Sequence, residues 1–187
     1  MMIKYIVLKE FVRITSKWVT IIGEQCKDSG GVPFQYWRVE KDHSLIILPV
    51  QKNHILIPAP VYRHGVGKST CDLPGGRFQN NVVGKITCAA EAILNRELHT
   101  QRKDIEAIEP LFAHSLFINS SFSNQKLFAC VASISDDWRE TTDYPIARYS
   151  LSEIGMASLL EKLECLQCRA VLLEYLYQRK KLRSNNV

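Results

Sequence analysis

Residues 62–78 read Tyr62-Arg63-His64-Gly65-Val66-Gly67-Lys68-Ser69-Thr70-Cys71-Asp72-Leu73-Pro74-Gly75-Gly76-Arg77-Phe78, and the run beyond them closes on Arg96-Glu97-Leu98. The predicted order is a strand end, a glycine loop and then a helix. Gly75-Gly76 behind Pro74 form a predicted turn, because glycine reaches backbone angles closed to other residues and lets the chain approach a ligand closely. From Cys88 onward, Ala90, Leu94 and Leu98 stand four apart, which is one apolar stripe of a helix.

Upstream, residues 2–8, 17–23 and 35–40 are rich in β-branched and aromatic side chains, with a turn at Asp28-Ser29-Gly30-Gly31. They predict an antiparallel meander. Residues 44–50 and 54–60 are two apolar strands, buried on both faces, across the turn Gln51-Lys52-Asn53. Downstream come a polar link at 100–104 and a hairpin of residues 108–118 and 127–134 around 119–124. A short strand at 146–149 and helices at 151–163 and 167–181 follow. This sequence of elements predicts an α/β fold, a mixed sheet between helical layers.

A hydrophobic share of 46% can fill a core, and 23% charged residues do not indicate disorder. No apolar run of signal or membrane length occurs, so the expectation is a cytoplasmic chain with no membrane partner and six reduced cysteines. The net charge of +5 gathers in the tail Arg179-Lys180-Lys181-Leu182-Arg183, read as a solvated helix end whose cations suit the helix dipole; nucleic acid is an unlikely partner.

Two motifs lose to plainer readings. A phosphate loop needs glycine where Tyr62 stands and a helix directly after Lys68-Ser69, and neither is present. Cys165-Leu166-Gln167-Cys168 has the spacing of a zinc knuckle but no second Cys or His pair near it, and reads as two small buried thiols at a helix start. The five histidines share no ligand spacing. Tyr36 and Trp37 suit either stacking on a base or packing between subunits. Arg63 suits a diphosphate through its planar fork, or a structural ion pair with a carboxylate.

The stretch from Tyr62 to Leu98 resembles the Nudix hydrolase superfamily, and within it the ADP-ribose pyrophosphatases. The resembling residues are Tyr62-Arg63-His64-Gly65-Val66-Gly67, Leu73-Pro74-Gly75-Gly76, and Ala89-Ala90 with Leu94. The resemblance implies a Nudix α/β/α sandwich over residues 44–187. It also implies a small N-terminal antiparallel β extension over 1–43 that carries a homodimer contact. The family box, G-x5-E-x7-R-E-U-x-E-E-x-G-U with U aliphatic, holds divalent metal on its glutamates.

Three alignments of the box are open here. Without a gap, Val82 stands at the first glutamate, Glu91 falls within R-E-U, and Leu94-Asn95 take the place of E-E. With two extra loop residues the apolar stripe is kept. R-E-U becomes Ala92-Ile93-Leu94, E-E becomes Arg96-Glu97, and the closing glycine becomes His99. A literal Arg96-Glu97-Leu98 match needs a longer insertion and puts Thr100-Gln101 at E-E. The second alignment is preferred. It gives Glu97 as catalytic residue and metal ligand, with Glu91 as ligand in the alternative alignment. The substrate would be bound by Arg63, Gly75, Gly76 and Arg96. Arg96 opposes a divalent ion by roughly 2–8 kcal/mol at a few ångströms and an effective dielectric near 20.

Two functions follow from the resemblance. One is a weakened, Mg²⁺-using hydrolase of a nucleoside diphosphate linked to another group, with further ligands drawn from a loop such as Asp136-Asp137 or Glu140–Asp143. The other is an inactive domain with no cofactor that binds a nucleotide or nucleotide sugar in a regulatory role. Both take a nucleotide-type small molecule.

Overall fold

The computed structural model describes residues 5–78, 83–141 and 145–184. Residues 2–4 of the first predicted strand, Val82 of the gap-free alignment and Asp143 of the acidic loop lie outside them. The chain forms two compact units. The first is Met1–His43 with Leu116–Lys126, and the second is Ser44–Ser115 with Leu127–Val187.

The first unit is an antiparallel sheet in the order β1 (Ile6–Thr15), β2 (Thr20–Lys27), β3 (Pro33–Glu40). The first two strands start later and run further than the apolar clusters suggest. β1 continues through Lys9, Glu10 and Arg13 because as an edge strand it leaves those charges in water, where Arg13 pairs with Glu10 at 2.6 Å. The turn between β2 and β3 is fastened by Asp28 Oδ1, which accepts the N–H groups of Gly30 and Val32. Gly23 lies under the T-shaped pair Phe11–Trp37, whose rings are 5.3 Å apart; a Cβ there would meet Phe11 at 2.7 Å. Glu24 is buried and takes both prongs of the Arg38 fork, at 2.9 and 3.1 Å.

The segment around 119–124 is a hairpin loop, closed by Ile118 N–H on the Gln125 carbonyl at 3.1 Å, and it is also held on β3. Val39 N–H donates to the Phe122 carbonyl at 2.8 Å, Lys41 N–H donates to Asn124 Oδ1 at 3.1 Å, and the Tyr36 hydroxyl donates to the Ser121 carbonyl.

The second unit is built on β4 (His43–Gln51) and β5 (His54–Ile57). A hairpin of β6 (Val61–Arg63) and β7 (Lys68–Thr70) follows, then β8 (Gly75–Phe78) and α1 (Val83–Leu98). A single 3-10 turn leads into β9 (Ile105–Pro110). β10 (Leu116–Phe117) falls in the first unit. β11 (Lys126–Ile134), β12 (Ala147–Ser150), α2 (Glu153–Lys162) and α3 (Leu166–Ser184) complete the order. The sheet runs β11-β4-β5-β12, with β8 on β4 and β9 on β11. It is mixed: β11 pairs β4 in parallel, while β9, β5 and β12 pair antiparallel.

Three expectations are corrected by this topology. The predicted strand over 108–118 is broken in two: β9 starts earlier and ends at Pro110, pairing β11 from Pro110–Cys130 to Ile105–Ile134, and β10 resumes at Leu116–Phe117. Gly75-Gly76 open strand β8 and do not form a turn; the Pro74 carbonyl before them accepts from Ile47 N–H at 2.8 Å, so β4 draws the pair into the sheet. The glycine loop at 64–67 turns a hairpin, with Gly67 at φ 70° and its N–H on the Arg63 carbonyl at 2.9 Å, and no helix follows it directly.

Both faces of β4 are covered, since Leu45, Ile46, Ile47 and Leu48 are all buried. One core joins Leu45, Ile47 and Leu56 of the sheet to the helix stripe Ala90, Ile93, Leu94 and Leu98. Phe78, Cys130 and Trp138 close it. Burial there pushes the Cys130 thiol up to about 12.

Candidate functional site

A cleft of about 500 Å³ lies in the second unit, in the size range of small-molecule sites. Its lining includes Arg63, Thr70, Asp72, Gly75, Arg96, Glu97 and His99. The β6–β7 hairpin supplies Arg63 and Thr70, the link from β7 to β8 supplies Asp72, and the start of β8 supplies Gly75; Arg96 and Glu97 come from the last turn of α1, and His99 follows it directly.

Two ion pairs shape the cleft. Arg63 puts Nε and Nη2 on Asp72 Oδ2 at 3.0 and 2.9 Å, and the Thr70 hydroxyl donates to the same oxygen at 2.8 Å. Arg96 donates from Nη2 to Glu97 Oε1 at 2.5 Å and to the Gly75 carbonyl at 2.8 Å. Glu97 Oε2 in turn accepts the Gly75 N–H at 3.3 Å. Both peptide groups of Gly75 are therefore engaged by adjacent side chains of one helix. Arg63 and Arg96 are 52% and 60% exposed, so each is anchored on one side and open to the cleft on the other.

Of the residues predicted from sequence, Arg63, Gly75, Arg96 and Glu97 meet in this cleft. Gly76 is not among its lining residues; its Cα faces Ile93, and a Cβ would lie 3.0 Å from Ile93 Cδ1. Glu91 is away from the cleft and held by Arg102 at 2.8 Å. Ile93, aligned with a metal-binding glutamate, is buried in the core. Leu94, aligned with a glutamate in the gap-free register, is fully buried. His99 stops α1 with φ 56°, a left-handed conformation that glycine reaches freely, and it stands where the preferred alignment sets the closing glycine of the box.

Sequence reasoning missed Asp72 as a site residue. The available signal was that it is the only acid within residues 62–78.

The cleft residues do not fit a protein-held magnesium ion. Mg²⁺ asks for free carboxylate oxygens in an octahedral set. Among the described lining residues the carboxylates are Asp72 and Glu97, and each is already bonded to a guanidinium. A divalent ion 4 Å from either guanidinium would be repelled by about 8 kcal/mol at an effective dielectric of 20.

No protein-family model and no curated protein matches the sequence. Among solved structures the chain is similar to one described as an ADP compounds hydrolase, with a TM-score of 0.72 and 19% identity over 97% of this chain and 96% of that one. The likeness establishes the fold, a mixed-sheet α/β unit with three helices and a small antiparallel sheet at the N-terminus. No helix is long and apolar enough to cross a membrane among the described residues.

Proposed function

We propose that the chain is a Nudix-type protein that binds a nucleoside diphosphate joined to another group, ADP-ribose-like, and hydrolyses it weakly or not at all. The observation that carries this reading is the pair of anchored, half-open arginines in one cleft. A guanidinium held by a carboxylate on one edge keeps its other N–H donors for phosphate, and two of them match the two phosphates of a diphosphate. The fold likeness to an ADP compounds hydrolase points to the ligand class. It also favours the second reading, a working hydrolase in which Glu97 serves a divalent ion that comes with the substrate.

Calorimetric titration with ADP-ribose in chelator, then with added Mg²⁺, separates the two. Binding in chelator that Mg²⁺ leaves within a factor of about two supports the first. Binding that appears only with Mg²⁺, with steady release of products, would establish the second.

We also infer a homodimer through the first unit, with a cytoplasmic location the simplest setting for it. β1 is exposed almost throughout, with Ile6 at 60% and Ile14 at 59%. An apolar edge strand open to water on both faces invites another chain to cover it.

A further inference from the structure

The strongest unassigned group lies where the hairpin meets the start of α3. Cys71 and Leu163 form a parallel bridge, and Lys68 pairs with Glu164 at 2.8 Å. These contacts bring Asp72 beside the Cys165–Cys168 pair. Asp72, Cys165 and Cys168 each offer one ligand atom, and the three atoms lie within 4.8 Å of one another. Cys168 Sγ is 4.0 Å from Asp72 Oδ1.

We propose that Asp72, Cys165 and Cys168 form a site for a thiophilic divalent cation of the zinc class, with the fourth position open to water or an exogenous ligand. The site shares Asp72 with the cleft but does not rest on the ligand proposed there. Two sulfurs and one oxygen suit a borderline-soft ion and exclude magnesium and calcium, which take oxygen. Tetrahedral Zn–S bonds of about 2.3 Å set ligand atoms about 3.8 Å apart. A sulfur and an oxygen would stand about 3.5 Å apart, so the present spacings need a contraction of at most about 1.3 Å, within reach of side-chain rotation.

The surroundings are those of a supported site. Cys165 is the residue before α3, with its carbonyl accepting from Arg169 N–H at 3.0 Å, and Cys168 lies in the first turn. A metal would displace both thiol protons to solvent. Asp72 presents Oδ1 to the sulfurs, while Oδ2 is fixed by Arg63 and Thr70, the kind of outer support that orients a ligating carboxylate. Two thiolates and one carboxylate against a divalent ion leave one negative charge, which Arg63 balances.

The test uses the full chain, reduced and stripped of metal, titrated with Co²⁺. One equivalent should produce thiolate-to-cobalt charge transfer and a tetrahedral ligand-field band, and Zn²⁺ should bleach both. Cys165→Ser keeps an oxygen suited to a helix N-cap, so the fold is preserved. It should halve the charge-transfer intensity per bound cobalt and weaken binding at least tenfold. Asp72→Asn should weaken binding about tenfold with the charge transfer kept, and Cys71→Ser should change nothing. No charge transfer in the reduced protein would overturn the proposal. So would a spectrum that Cys165→Ser leaves intact, or an octahedral band.

Discussion

Gly76 and Ile93 are packed backbone to side chain: a Cβ on Gly76 would sit 3.0 Å from Ile93 Cδ1, close enough that the isoleucine must give by a few tenths of an ångström. The start of β8 is thereby locked to the middle of α1. Gly76→Ala should cost about 1–2 kcal/mol in urea unfolding, and Ile93→Val in the same chain should return part of it. Ile93→Glu, which would write a glutamate back into the box, should cost about 4 kcal/mol because it places a carboxyl in the core. Restored metal binding without that loss would show that Ile93 can turn toward the cleft.

Arg96 and Glu97 should respond in opposite directions. Arg96→Gln removes a phosphate donor and should weaken ADP-ribose binding in chelator about tenfold, or about 1.4 kcal/mol. Glu97→Gln removes the competing carboxylate and should leave that binding equal or tighter. A hydrolase that relies on Glu97 for its metal would lose turnover in Glu97→Gln, and a rapid-quench assay for released AMP would reveal it.

His99 is held at φ 56° at the end of α1. His99→Gly should stabilise the protein by about 1 kcal/mol, read as a higher denaturation midpoint. An unchanged or lower midpoint would mean that the imidazole makes contacts worth more than the backbone strain.

His43 in the first unit accepts the Lys126 N–H at Nδ1, 3.3 Å away. Burial, and then the Lys126 charge, lower its pKa from 6.5, with Asp42 opposing. The folded chain thus resists protonation that the unfolded chain accepts. Stability should be flat above neutral pH, fall as pH drops through 6.5, and level off below the folded value. His43→Gln should remove this component, measured as the difference in denaturation midpoint between wild type and variant across that window.

The inferred dimer depends on the apolar surface of β1. Ile6→Glu with Ile14→Glu should convert it to monomer in light scattering, with little loss of monomer stability because both side chains are exposed. A wild-type mass that stays monomeric at every concentration would remove the inference.

The fold was readable because apolar periodicity and the glycine positions act locally. Ala90, Leu94 and Leu98 announced the buried face of α1, and the apolar runs at 44–50 and 54–60 announced two strands covered on both faces. The site was only half readable. Arg63 stood out beside the glycine loop and Arg96 came from the preferred alignment of the box, but their partners are set by tertiary contact. Asp72 reaches Cys165 only because Cys71 and Leu163 lie side by side, a relation that no local pattern encodes. The same limit explains Gly75-Gly76, whose turn chemistry was overridden by hydrogen bonding to β4.

The parallel ladder of β4 with β11 pairs Ser44 with Leu127 and Val50 with Ser133. No hairpin can nucleate that pairing, since about 80 residues must be closed into a loop before its first hydrogen bond forms. The centre of the sheet is therefore assembled late, against the full closure entropy, while the β1–β2–β3 meander can zip from its own turns. Refolding should be biphasic, with a fast local phase and a slower one governed by contact order. During that interval the apolar β4 edge is open to the wrong partner, so the chain's exposure to aggregation is set by the time it takes β11 to arrive.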